Sequence, residues 1–326
     1  MNALVTGSNG FIGSTLVEKL LQKNYRVKCL VRKTSNLRWL QNLDIDLVYG
    51  ELIKPESLTN AVRDVDLVFH LAGTTKAKDK LGYVIGNYQA TRNLLDACKK
   101  YGSDQQKIVY VSSQAAGGPS SLKKPLAETS MPHPISIYGM SKLEAEKAVF
   151  TFGRNRPVTV IRPPSVYGPK DRDVLVMFKN INRGILPVLG KGEQKVSMVH
   201  VNDLVDGIIL AAESSRANGQ LYYISGDENY EWKKIGQIMA QALDKHPLIL
   251  GIPRWLVDIV SYFSISLSKL TGKPALLNRD KVAEMKQLSW LCSNARAKKE
   301  LGFQPKFSLL EGFSMTAEWY KKMGWL

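Results

Sequence analysis

The strongest constraint on this chain is a set of glycines near its start, in MNALVTGSNGFIGSTLVEKLL. A short apolar run at residues 2–5 ends at Gly7, and a helical pattern follows Gly13. Gly7, Gly10 and Gly13 have the spacing G-x-x-G-x-x-G, after a strand and at the head of a helix. That context is what a dinucleotide-binding turn requires. Gly7 permits the tight turn, Gly10 lets the backbone approach a pyrophosphate, and Gly13 lets the helix pack on the strand. The pyrophosphate is expected on the positive helix N-terminus, at the free N–H groups around Phe11 and Ile12.

The first half alternates β-branched runs with helical stretches. Strands are expected at 2–5, 26–31, 46–49, 66–71, 107–112 and 158–162. Ile12, Leu16, Val17, Leu20 and Leu21 fall on one helical face, and RNLLDACKK is a second helical piece. This alternation predicts an α/β fold, a Rossmann-type doubly wound parallel sheet covered on both faces. After RPPSVYGP (162–169) the alternation weakens. Residues 173–184 read as a helix outside the sheet, VSMVHVNDLVDGIILAAES as a return to it, and QLYYISG as a last strand. From about residue 227 the chain reads as helical and aromatic, with Gly/Pro breaks near 251–253 and 272–274. The expected division is a dinucleotide-binding domain of 1–168 and 198–226, and a smaller, mostly helical substrate domain of 169–197 and 227–326.

With 326 residues and 44% hydrophobic content, a sizeable core is available. The net charge of +16 comes from lysines and arginines spread along the whole chain. No nucleic-acid motif accompanies it, so a solvated surface that attracts an anionic cofactor or substrate is expected, and no nucleic-acid partner. Cys29, Cys98 and Cys292 are odd in number and scattered, so neither a disulfide framework nor a metal site is expected. Those cysteines, and a first strand beginning at Asn2, predict a cytoplasmic protein. No apolar run reaches the ~20 residues that span a bilayer. The nearest, LILGIPRWLVDIVSYFSISLSKL (248–270), contains Pro253, Arg254 and Asp258. It reads as a partly buried helix lining a pocket, with a peripheral membrane-surface patch as the other reading.

YGMSK places Tyr138 and Lys142 at i and i+4 on one helical face. A nearby ammonium favours the phenolate and is expected to lower the tyrosine pKa from ~10, fitting Tyr138 to exchange a proton with a substrate oxygen. TGSNGFIG, HLAG (70–73), VYVSSQAAGG, YGMSK and RPPSVYGP follow one another in order. Together they resemble the extended short-chain dehydrogenase/reductase superfamily, in its NAD(P)-dependent epimerase/dehydratase and dihydroflavonol-reductase-like branch. The resemblance implies reversible alcohol–carbonyl chemistry without metal. It places the carbonyl-holding role on Ser113, with Ser112 structural, and adds ribose binding to the role of Lys142. Leu71, Ala72 and Gly73 would back the adenosine ribose, with His70 packing beneath, and Pro163, Ser165 and Val166 would close on the nicotinamide. His200 reads as structural. Asn87 matches a family asparagine near the active site and equally suits a structural helix position. Thr74, Asn87, Gln114 and Arg172 are the substrate-side candidates. Family dimers pair helices of the cofactor domain, and SKLEAEKAVFTF offers such a face for a homodimer.

The second strand ends in CLVRKTSNLRWL. NAD-preferring relatives carry an acidic residue here for the ribose 2′-hydroxyl. This chain has Arg32, then Lys33, which suits a 2′-phosphate and predicts NADP(H) over NAD(H). Glu51, with Leu52 beside it, replaces an aspartate that reaches the adenine amine. Nucleotide-sugar epimerases of the family carry a diphosphate-clamping arginine where this chain has Val196, although Lys195, Lys191 or Arg172 could substitute. Trp255, Tyr262, Phe263 and many aliphatics make an apolar ketone pocket plausible. The leading expectation is an NADP(H)-dependent carbonyl reductase. The alternatives are an NAD-dependent nucleotide-sugar epimerase or dehydratase, and a non-enzymatic NADP-sensing module.

Overall fold

Seven strands pair in parallel in the computed structural model, which describes residues 1–271 and 279–326. They are β1 (Asn2–Thr6), β2 (Arg26–Val31), β3 (Asp46–Tyr49), β4 (Leu67–His70), β5 (Lys107–Val111), β6 (Val158–Arg162) and β10 (Gln220–Tyr223). Their spatial order is β10-β6-β5-β4-β1-β2-β3. The expected doubly wound sheet is therefore present. The chain runs outward from β1 through β2 to β3, then returns to β4 on the other side of β1. That reversal opens a crevice at the carboxyl ends of β1 and β4, where ligands of such sheets bind.

Alternation along the strands feeds two cores. Ala3, Val5, Val109 and Val111 face one apolar cluster, packed with Leu16, Val17 and Leu20 of the Phe11–Gln22 helix and with the Val201–Glu213 helix. Leu4, Ile108 and Tyr110 face the other, packed with Leu94, Cys98, Ala145 and Val149 of the Ala90–Tyr101 and Ile137–Phe152 helices. Successive residues of one strand enter opposite cores because side chains of a strand alternate in direction.

The remaining strands are β7 (Ser165–Tyr167), β8 (Ile185–Leu189), β9 (Lys195–His200), β11 (Asn229–Glu231), β12 (Leu248–Ile252) and β13 (Ser289–Trp290). β9 pairs with β7, β11 and β13, and β8 pairs with β12. The stretch VSMVH thus joins a second small sheet, and only the helix after it returns to the large one. A third cluster, with Tyr167, Phe178, Val196, Ile235, Phe313 and Tyr320, holds this part together.

The region after residue 227 is less purely helical than its composition suggests. Residues 248–252 form a strand on β8, and a helix runs over Arg254–Thr271. Pro253 marks that change, since proline lacks the N–H a helix interior needs but fits just before its first turn. The Gly/Pro break at 272–274 lies outside the described residues. No helix among the described residues is long and apolar enough to cross a membrane.

Candidate active site

The glycine turn sits at the end of β1, in the crevice. Gly7 has φ +71°, a left-handed conformation that glycine adopts without strain, and a Cβ there would lie 2.8 Å from the Ala72 nitrogen. A Cβ on Gly13 would lie 2.1 Å from the Gly7 carbonyl oxygen, so the helix can press onto the turn only without one. Gly10 caps the Phe11–Gln22 helix with extended backbone, and no side chain occupies its cap. A Cβ there would meet only the Gly7 oxygen, at 3.2 Å. The N–H groups at Phe11 and Ile12 are thus presented beside a bare backbone, which suits a pyrophosphate.

These contacts separate structural from binding glycines. Gly13→Ala is expected to lower the melting temperature sharply. Gly10→Ala should melt near wild type yet bind dinucleotide at least about tenfold more weakly, because its methyl occupies the approach to the helix terminus. Thermal melts and a nicotinamide-fluorescence titration check both.

The loop after β4 closes the other side of the crevice. Thr6 Oγ1 lies 2.7 Å from His70 Nδ1 and also accepts from the Ala72 N–H at 3.2 Å, while His70 Nε2 lies 2.9 Å from Thr91 Oγ1. Burial pushes the His70 imidazole down to about 3, with the Lys142 charge adding to it. His70 is therefore a neutral tie between β1, β4 and a helix. His200 is likewise buried and neutral, pushed down by desolvation to about 4. Its ring packs against Tyr167 and Phe307.

Asn87 lies on a six-residue π-helical segment, Val84–Gln89. Its Oδ1 accepts from the Thr74 N–H at 2.8 Å, and its Nδ2 donates to the Thr74 carbonyl at 3.1 Å and to Ser141 Oγ at 2.9 Å. Both amide hydrogens are committed, so this geometry makes Asn87 a clamp on the Gly73–Thr74 loop. The π-turn supplies the displacement that aims it there.

The Tyr138–Lys142 pair lies on the Ile137–Phe152 helix. That helix approaches the loop carrying Ser113 through Gly139, where a Cβ would lie 2.4 Å from the Ala115 carbonyl oxygen. The Ser113 hydroxyl reaches the Tyr138 phenol and lowers its pKa, but desolvation dominates and pushes the phenol up to about 12. Burial likewise pushes Lys142 down to about 7, against the opposing pull of Glu146. Lys142 Nζ donates to the Val111 carbonyl at 2.8 Å and stands 4.3 Å from the Tyr110 ring centre. The expectation that the lysine lowers the tyrosine pKa is therefore corrected. At Tyr138 desolvation outweighs the Ser113 hydrogen bond, with Glu284 and Tyr83 also raising the phenol, and at Lys142 it outweighs the Glu146 charge, so the phenol keeps its proton at neutral pH.

Behind this pair is a buried network that sequence reasoning missed. Glu146, one turn beyond Lys142, accepts from Arg162 Nε at 2.9 Å and from Nη2 at 2.6 Å. It also accepts from the Ser112 hydroxyl, and Arg162 donates to the Tyr223 hydroxyl at 3.0 Å. Ser112 thus ties the strand end to the helix and leaves Ser113 facing the phenol. The N-terminus of the same helix is held by two distant carboxylates: Asp280 accepts from the Ile137 N–H at 2.8 Å, and Glu284 from Ser136 Oγ at 2.6 Å. Negative charge is favourable at that end of a helix.

Arg32 is exposed at the end of β2, in a turn closed by the Ser35 N–H to the Arg32 carbonyl at 2.9 Å, with Lys33 exposed beside it. The loop is tied to the glycine turn by Asn9 Nδ2 donating to the Asn36 carbonyl at 3.3 Å. Glu51 pairs with Lys54 at 3.0 Å, and the Leu52 carbonyl accepts from Asn93. The Gln114 N–H donates to the Pro163 carbonyl at 2.8 Å, which joins the Ser113 loop to the segment leading into Ser165 and Val166 on β7. Gln114 Nε2 is buried there without a partner. Arg172 stands over the Trp325 ring at 5.2 Å and faces Arg38, in a cluster with Trp39. Val196 is buried in the third core, so no side chain projects from it to grip a ligand.

Trp255, Tyr262 and Phe263 are 62%, 69% and 67% exposed. These three side chains lie at the surface, which corrects the pocket-lining expectation for them, while Val257 and Ser261 are buried and make the helix partly buried as expected. The short satellite cluster of Leu189, Ile252, Val257 and Val282 packs on the opposite face of the described part of that helix.

A fold and site of this kind define the short-chain dehydrogenase/reductase enzymes in their extended form, NAD(P)-dependent oxidoreductases with a Rossmann core. The model of the NAD dependent epimerase/dehydratase family matches residues 3–225, and the chain belongs to that family. It is 28% identical over 323 residues to the ceramide reductase of Caulobacter vibrioides, covering 99% of this chain and 95% of that protein. It is also 28% identical over 329 residues to the UDP-glucose 4-epimerase of Vibrio cholerae, covering 97% and 94%. The dTDP-glucose 4,6-dehydratase of Streptomyces venezuelae shares the fold, with a TM-score of 0.82 at 23% identity over 100% of this chain and 98% of that one.

Proposed function

We propose that this protein is an NADP(H)-dependent reductase of a ketone or aldehyde on an apolar small molecule. The observation that carries the reading is Arg32, an exposed guanidinium at the end of β2 and tied through its loop to the glycine turn. A carboxylate at that point would accept from a ribose 2′-hydroxyl and repel a 2′-phosphate, whereas a guanidinium binds the phosphate in a charge-assisted pair.

Bound at the glycine turn, the nicotinamide cofactor would supply the hydride. In this reading the protein handles the oxygen. Ser113 holds the carbonyl, and Tyr138, its phenol held protonated up to about 12, donates a proton to the developing alkoxide. Lys142 lies behind the phenol against Val111, where it can reach a ribose hydroxyl. The Asn87 clamp and the Gln114–Pro163 tie position the two loops around them. The ceramide reductase relative supports a lipid-like substrate. Val196 supports the same reading, since a buried valine cannot clamp a sugar-nucleotide diphosphate.

The second reading, an epimerase or dehydratase with tightly held NAD, draws support from the epimerase relative at the same identity. The two differ in what happens to the cofactor. The reductase consumes NADPH in step with a long-chain ketone and releases it oxidised on each turnover. Cofactor that copurifies as NAD and stays bound through turnover of a nucleotide sugar contradicts that reading. Arg32→Ala is expected to weaken NADPH binding by about tenfold or more, ~1.4 kcal/mol, and to leave NADH binding unchanged.

A further inference from the structure

The helix that begins at Arg254 is amphipathic in the reverse of the usual sense. Val257 and Ser261 are buried, while Ile259, Val260, Tyr262 and Phe263 are 44%, 50%, 69% and 67% exposed. Trp255, Ile259, Tyr262 and Phe263 follow the i, i+4, i+7, i+8 spacing of one helical stripe. The strand that feeds the helix continues the patch: Leu248 is 67% exposed and pairs in register with Ile185, itself 41% exposed. An apolar surface of this extent, rich in Trp, Tyr and Phe, marks a contact site.

Its border is basic. Arg254 opens the helix, and its guanidinium lies against the Gly190 turn that carries Lys191. Ile249 lines one groove together with Lys234, Lys245 and His246, with Asp244 the acidic group there. Asp258, on the helix itself, is neutralised by Lys286 at 2.6 Å. The whole chain carries +16.

We propose that the Leu248–Phe263 face docks on an anionic phospholipid surface. Aromatic and aliphatic side chains would enter the interface while the lysines and arginine meet lipid phosphates, as in helices that lie on a bilayer without crossing it. A second copy of the chain fits less well. Pairing this face with itself in a two-fold dimer would bring Arg254 and Lys245 toward their own counterparts, and like charges oppose association.

The face also lies one helix away from the catalytic pair. Val257 packs on Val282 of the Arg279–Met285 helix, and that helix sends Asp280 and Glu284 to the start of the Tyr138 helix. A docked protein would thus hold its site next to the bilayer. That supply route for an apolar ketone rests on the reductase reading, whereas the docking does not.

Flotation of the full-length protein with phosphatidylglycerol-containing vesicles and with pure phosphatidylcholine vesicles tests the proposal. The protein should float with the anionic vesicles, with a blue shift of Trp fluorescence. The double variant Trp255→Ala, Phe263→Ala should bind them at least about tenfold more weakly, two interfacial aromatics having been removed. The melting temperature of the variant should match wild type, showing that it is folded. The proposal is overturned if the wild type stays unbound with both vesicles or binds both equally, or if the double variant floats as well as the wild type. It is equally overturned if the wild type only self-associates and the variant abolishes that, because the occupant is then a second copy. No substrate or cofactor enters the flotation assay, so its failure leaves the reductase reading standing, and failure of that reading leaves the docking standing.

Discussion

Tyr138→Phe is expected to lower kcat for carbonyl reduction by about 10²–10⁴-fold, the usual contribution of a positioned proton donor, with NADPH affinity and melting temperature close to wild type. The position of the phenol sets this effect. Ser113 reaches it from the β5 end, Gly139 brings its helix into contact with that loop, and burial keeps it protonated at neutral pH. Phenylalanine keeps the ring that packs with Tyr83 and removes only the hydroxyl. Single-turnover kinetics separate the two possible failures. Loss of the chemical step with intact binding supports the assignment, whereas a variant with full kcat removes Tyr138 from the mechanism.

The largest stability effect is expected at Glu146. Glu146→Ala should cost ~3–5 kcal/mol, because it leaves the Arg162 guanidinium buried without its counter-charge. In a chain of this size that corresponds to a fall of roughly 10 °C in Tm. The Arg162 and Glu146 side chains are 3% and 2% exposed, so water cannot replace the missing carboxylate. The pair also joins the Tyr138 helix to β6, and Ser112 joins it to the end of β5. Denaturant unfolding with and without NADPH checks this. The double variant Glu146→Leu, Arg162→Met should recover much of the loss, since an apolar pair of similar volume needs no desolvated charges. A double variant as unstable as Glu146→Ala would show that the network, rather than the unpaired charge, sets the cost.

The large sheet and the chemistry-bearing motifs were legible in the sequence for a common reason. Each is a local pattern: β-branched runs alternating with helical stretches, glycines at fixed offsets, and a tyrosine four residues before a lysine. The Glu146–Arg162 pair was not legible, because a helix residue and a strand residue 16 positions apart carry no periodic signal. The Asp280 and Glu284 contacts to the Tyr138 helix join segments more than about 140 residues apart and were equally invisible. The sign of the Tyr138 shift is not legible in the sequence for a related reason. Spacing shows a lysine one turn away but not how deeply the phenol is buried, and desolvation is what raises it. The small strands β11 and β13 span three and two residues, too short for alternation to declare itself. The stretch from Trp255 to Phe263 reads in sequence as part of a partly buried helix lining a pocket, with a membrane-surface patch as the other reading. Only the fold shows that its aromatic side chains face outward.

Titration of the purified protein with NADPH and NADH, followed by energy transfer from tryptophan to the nicotinamide, tests the central claim most directly. The reductase account predicts NADPH binding tighter by tenfold or more, about 1.4 kcal/mol. Equal affinities, or a preference for NADH, would contradict it. Arg32 would then not read a 2′-phosphate, and nucleotide sugars would become the first substrates to test.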